Sequence, residues 1–100
     1  MDQKNTAFES NDWRVNISVH GSGLSMSLVD LSGEILDEDV YRKGELKDSI
    51  KVKTAKKDTR SSAMSKAIEK AWELLKKHLK EDLANEFFTD VEEFIIANWP

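Results

Sequence analysis

Trp13-Arg14-Val15-Asn16-Ile17-Ser18-Val19, then His20-Gly21-Ser22-Gly23, then Leu24-Ser25-Met26-Ser27-Leu28, carries the clearest period in the chain. Trp13, Val15, Ile17 and Val19 fall on one side of an extended chain, with Arg14, Asn16 and Ser18 on the other, as in a half-buried strand. Leu24, Met26 and Leu28 repeat the alternation against Ser25 and Ser27. Between the two runs, Gly21 and Gly23 can adopt the positive φ that a tight reversal needs, so the segment reads as a β-hairpin.

Working outward, residues 1–12 are mostly polar and read as a flexible N-terminal arm, leaving 13–100 as one α+β domain. Downstream, Ser32-Gly33-Glu34 is a second turn signal. Ile35, Leu36, Val40 and Tyr41 predict a third strand, with Asp37, Glu38 and Asp39 on its wetter side. A fourth is predicted at Ser49–Thr54, with Ile50 and Val52 inward and Lys51 and Lys53 outward.

After Thr54 the period becomes helical. Met64, Ile68, Trp72, Leu75, Leu79 and Leu83 recur every three or four residues, flanked by Ala67, Ala71 and Leu74, which predicts one long amphipathic helix. Asp58, Thr59 or Ser61 can cap its start. Ala63, Ala67 and Ala71 would let it lie close to a sheet, and Glu73 with Lys77 is a favourable surface pair. The helix is expected to end or bend near Asn85. Thr89 and Glu92 read as a capping box opening a shorter helix that carries Val91, Phe94, Ile95 and Trp99. The fold class is α+β: an antiparallel sheet of three to four strands packed against a long helix, then a shorter C-terminal helix.

Composition bounds the function. The chain has 100 residues, 39% hydrophobic and 34% charged, enough for one modest core and too few for a large cofactor fold. With no Cys there is no disulfide, thiolate zinc site or cysteine nucleophile. The longest apolar runs reach four residues, too short to span a membrane, and the opening residues lack the order of a signal peptide, so a cytoplasmic protein is expected.

The formal charge of −4 is unevenly spread. Residues 1–41 hold two basic and eight acidic groups, 42–60 eight and three, and 61–100 five and eight. A basic stretch therefore separates two acidic parts.

Few residues point to chemistry. His20, beside the hairpin turn, and His78, on the long helix, read as exposed surface histidines, because no ligand set accompanies either. Asp37 and Asp39 share a strand face and with Asp30 could attract a divalent ion, but a solvated strand face is the better reading. Gly21 and Gly23 lead into a strand rather than a helix, which removes the phosphate-binding helix N-terminus. No serine sits in a nucleophile elbow. No enzymatic activity, metal or cofactor is expected.

The basic segment, Arg42, Lys43, Lys47, Lys51, Lys53, Lys56, Lys57 and Arg60, is the strongest signal unrelated to folding. It reads either as a lysine-protected edge or as a surface for phosphates or an acidic partner. Tyr41 is the sole aromatic residue nearby, which argues against base stacking. Trp13 and Trp72 fall on apolar stripes and read as core; Trp99 reads as available to a partner.

Two stretches resemble HicB-type antitoxins. Val15-Asn16-Ile17-Ser18-Val19, a glycine turn and Val29-Asp30-Leu31-Ser32-Gly33 are similar to that family's strand, turn, strand and Asp-Leu-x-Gly corner. Asp58-Thr59 followed by Ala63, Ala67 and Ala71 is similar to its helix start. Lys56-Lys57 through Ala63 also resembles the helix entrance of double-stranded-RNA-binding domains. The likeness implies a protein that binds and silences a toxic ribonuclease. The segment after the long helix does not read as a DNA-binding tail, so autoregulation of an operon is not implied.

Residues and resemblance together lead to a non-enzymatic inhibitor or antitoxin-like protein. Asp37, Glu38 and Asp39 would meet a basic partner, such as a nuclease or nucleic-acid-handling complex, and Arg42, Lys43, Lys51, Lys53, Lys56, Lys57 and Arg60 an acidic one. A nucleic-acid-binding module using 42–60 and an assembly protein of a larger complex are the alternatives.

Overall fold

In the computed structural model, which describes residues 3–21, 23–33, 44–54 and 57–100, the chain runs through β1 (Lys4–Glu9), β2 (Trp13–His20), β3 (Gly23–Asp30), β4 (Glu45–Lys53), α1 (Arg60–His78) and α2 (Glu81–Asn98). The four strands form one antiparallel sheet in the order β1-β2-β3-β4, with both helices following it in sequence. This is the α+β arrangement expected from the change of hydrophobic period.

The hairpin is β2–β3, in a register that places Val15 opposite Leu28, Ile17 opposite Met26 and Val19 opposite Leu24. All six are buried, each at most 2% exposed. Gly23 holds a φ of 142°, and a Cβ there would strike the Val52 carbonyl of the neighbouring strand, so only glycine fits.

Residues 1–12, expected as a flexible arm, instead contribute strand β1, paired with β2 from Lys4↔Val19 to Glu9↔Arg14. Its inward side chains, Thr6 and Phe8, are half-buried and its outward ones exposed. So shallow a stripe gives little periodic signal. Glu9 and Arg14, directly opposite, form an ion pair at 3.4 Å. The strand predicted over Ile35 to Tyr41 lies outside the described residues.

Strand β4 covers all but the last residue of the predicted Ser49–Thr54, with Ile50 and Val52 inward, and starts earlier, at Glu45. Its pairing with β3 slips between Leu28↔Asp48 and Val29↔Leu46, leaving Lys47 as the extra residue of a bulge. The slip keeps Asp48 on the helix side of the sheet. Leu46 is turned to the open side, where it is 65% exposed.

Thr59 caps α1: its Oγ1 accepts from the Ser62 backbone N–H at 3.0 Å. Ala63, Ala67 and Ala71 are all buried and let α1 settle onto β3 and β4. Met64, Ile68 and Trp72 flank that line, half-buried, and Trp72 meets Phe88 of α2 with ring centroids 4.7 Å apart. Glu73 pairs with Lys70, not with the predicted Lys77.

The helical segment breaks at Leu79-Lys80, six residues before the expected position at Asn85. No Gly or Pro marks the site; the charge order does. Lys76, Lys77 and His78 occupy the last turn of α1 and Glu81 and Asp82 the first turn of α2, each suiting the partial charge of its helix end. An unbroken helix over 60–98 would measure about 58 Å, far longer than the sheet it covers. Folding back at residue 79 lets α2 pack on β1 and β2, beside α1 on the same sheet face; among the described residues no helix covers the other face. Thr89 is not a cap: inside α2, its hydroxyl donates to the Asn85 carbonyl at 3.0 Å. Trp99, read as available to a partner, is only 6% exposed and belongs to the core.

Candidate functional site

Asp37, Glu38, Asp39, Arg42, Lys43 and Lys56 lie outside the described residues. Of the basic set, Lys51 and Lys53 project from β4 on the sheet face away from the helices, and Lys57 is exposed beyond the strand's end. Lys47 stands at the bulge. Arg60 is engaged within the fold: its guanidinium donates to the Trp99 carbonyl at 3.0 Å and to the Pro100 carbonyl at 3.1 Å, tying the residues after α2 to the start of α1.

Helix α2 carries a feature that counting charge over 61–100 concealed. Glu81, Asp82, Glu86, Asp90, Glu92 and Glu93 are its six charged residues, with no basic residue among them, and all but Glu92 are exposed. Among the described residues none of the six makes an ion pair. Helix α1, by contrast, holds five basic and two acidic residues, and three of its lysines are paired: Lys66 with Asp58, Lys70 with Glu73 and Lys77 with Asp48. Because α2 lies over β1 and β2 while α1 lies over β3 and β4, sequence charge becomes spatial polarity. Among the described residues, the helix over β1 and β2 carries only acidic charge, and the helix over β3 and β4 is mainly basic. Ile96, 51% exposed, lies one turn from Glu92 and Glu93 on the acidic face.

His78 is not the exposed histidine expected. Its side chain is 16% exposed, and Nε2 lies 2.8 Å from Asp48 Oδ2, joining the end of α1 to β4. An ionised carboxylate only accepts, so the imidazole is the donor. That hydrogen bond, helped by the Ser49 backbone N–H and the nearby Lys77 ammonium, holds the Asp48 carboxyl below its ordinary range. A His–Asp pair can serve as a base when a hydroxyl reaches the other ring nitrogen, but among the described residues no hydroxyl bonds to His78. Here it clasps a strand to a helix. The missed signal was the β4 bulge, which no side-chain period reveals.

Asp30 lies at the corner after β3, where its carboxylate accepts from the Ser32 hydroxyl at 2.6 Å and the Ser32 backbone N–H at 2.8 Å. Those two bonds lower its pKa. Its carboxylate is thereby committed to a turn. His20 lies 3.4 Å from Ser25 Oγ across the hairpin. Among the described residues no group of three or more His, Asp and Glu is placed to hold a metal ion.

A concavity of about 540 Å³ opens where the β1–β2 turn faces the α1–α2 junction. Trp13 and Leu83 supply apolar wall, Asp12 and Glu86 carboxylates, and His78 and Lys80 the basic groups. The turn is fixed by the Ser10 N–H donating to the Trp13 carbonyl at 2.9 Å and the Leu31 N–H to the Asp12 carbonyl at 2.8 Å. No described helix is long and apolar enough to cross a membrane. Compared with protein-family models, curated proteins and solved structures, the chain has no match.

Proposed function

We propose that this chain is a small non-enzymatic binding protein, of an inhibitor or antitoxin-like kind, that docks on another protein by charge complementarity. One observation carries the reading: α2 presents its carboxylates with neither a basic residue in the helix nor an ion pair elsewhere among the described residues. A helix so charged repels itself, and a basic surface laid against it relieves that repulsion and steers encounter. Ile96 supplies an apolar anchor within the same face, as interface centres require. The partner is then a protein with a basic surface, such as a nuclease or other nucleic-acid-handling protein, and the meeting place is the cytoplasm.

A second reading, nucleic-acid binding, draws on Lys51 and Lys53, which point away from the helices and make no ion pair among the described residues. It is weaker because few described cations serve it and α2 repels a polyanion.

Capture of partners from the native host by the tagged chain, with and without nuclease, separates the two. The protein reading expects a partner retained after nuclease treatment, released by salt, and lost when Asp82, Glu86 and Asp90 are changed to Lys. Retention that requires nucleic acid and fails in Lys51→Glu/Lys53→Glu would replace it with the second reading.

A further inference from the structure

The cleft between the β1–β2 turn and the α1–α2 junction has a composition that the binding reading alone does not explain. Its wall combines an indole, Trp13, with carboxylates from two separate elements, Asp12 on the turn and Glu86 on α2. Among the described residues neither carboxylate is ion-paired. The cleft's basic groups do not cancel them: His78 is turned to Asp48, and Lys80 is exposed on a flexible stem. Glu86 also belongs to the acidic face of α2, so the cleft is a recess at the margin of that face.

We infer that this cleft receives one arginine side chain of the basic partner. A guanidinium is planar, stacks on an indole face, and offers its N–H groups in a fork that can reach carboxylates on two sides at once. A lysine ammonium matches the charge but not the stacking. Leu83 adds apolar surface in the same cleft for the methylenes of the arginine side chain. The inference rests on the proposed docking of a basic protein and names the group that anchors it.

The test uses the full chain labelled for amide NMR and titrated with N-acetyl-arginine methylamide, with the isosteric, uncharged citrulline compound as control. Saturable shifts at residues 10–13 and 83–86 are expected at millimolar concentration, the range open to a single side chain. Asp12→Asn/Glu86→Gln should weaken them about tenfold, a loss typical of one charged pair. Both substitutions lie at exposed positions, so the variant keeps its fold, and a dispersed amide spectrum confirms it. Absence of saturable shifts, equal shifts with citrulline, or indifference to the double substitution would overturn the inference. Partner capture that depends on Asp82, Glu86 and Asp90 while the cleft ignores arginine would remove this inference alone. Loss of the docking reading shows instead as capture indifferent to those three acids.

Discussion

His78 Nε2 stands 2.8 Å from Asp48 Oδ2, binding the last turn of α1 to the residue that follows the β4 bulge. Thirty residues separate the two in sequence, so the contact closes a long loop around the edge of the sheet. It exists because the slip at Lys47 keeps Asp48 on the helix side while Leu46 turns away.

The clasp predicts an acid-sensitive stability. A carboxyl whose pKa is lowered by folding stabilises the native state above its ordinary pKa, and that contribution is lost as pH falls through the lowered one. Asp48 and Asp30 are both lowered, so the wild type should weaken steadily below about pH 5, where carboxylates begin to protonate. Asp48→Asn should start less stable at neutral pH and lose less on acidification, read as urea midpoints across the range. Equal slopes for variant and wild type would contradict the clasp.

Gly23→Ala is expected to destabilise by on the order of 1–3 kcal/mol, because it combines a forbidden φ with a backbone collision. Gly33→Ala is the control, since a Cβ there meets nothing within 4 Å. Thermal melts of the two variants should differ clearly.

Core truncations should rank by burial. Leu75 is fully buried, and Leu75→Ala should cost about 2–5 kcal/mol. Trp72, half-buried and tilted against Phe88 at the helix–helix seam, should cost less than the 3–5 kcal/mol or so of a fully enclosed aromatic. Denaturant unfolding of both variants tests the order. The reverse ranking would move the centre of the core from the sheet–helix interface to the seam.

Thr59→Ala should cost about 1 kcal/mol through loss of the cap on α1.

The hairpin, β4 and the alanine line of α1 were legible because strong alternation or a 3.6-residue period leaves one clear buried face. Strand β1 was not, because an edge strand with Thr6 and Phe8 half-buried shows almost no alternation. The helix break carried a readable mark, Lys76-Lys77-His78 before Glu81-Asp82, which apolar spacing overlooks since Leu79 and Leu83 continue the stripe. The acidic helix has no mark in the summed charge of 61–100, because the lysines of α1 offset the carboxylates of α2 until the break at residue 79 separates them. The contact of His78 with Asp48 depends on a bulge, and bulges have no side-chain period.

Charge-steered docking through α2 is tested most directly by the association rate of the nuclease-resistant partner, measured against ionic strength for the wild type and for Asp82→Lys/Glu86→Lys/Asp90→Lys. The prediction is a rate that falls steeply with salt in the wild type and is about tenfold lower at low salt in the variant, with dissociation changed far less. Equal association rates for the two proteins, flat with salt, would contradict it.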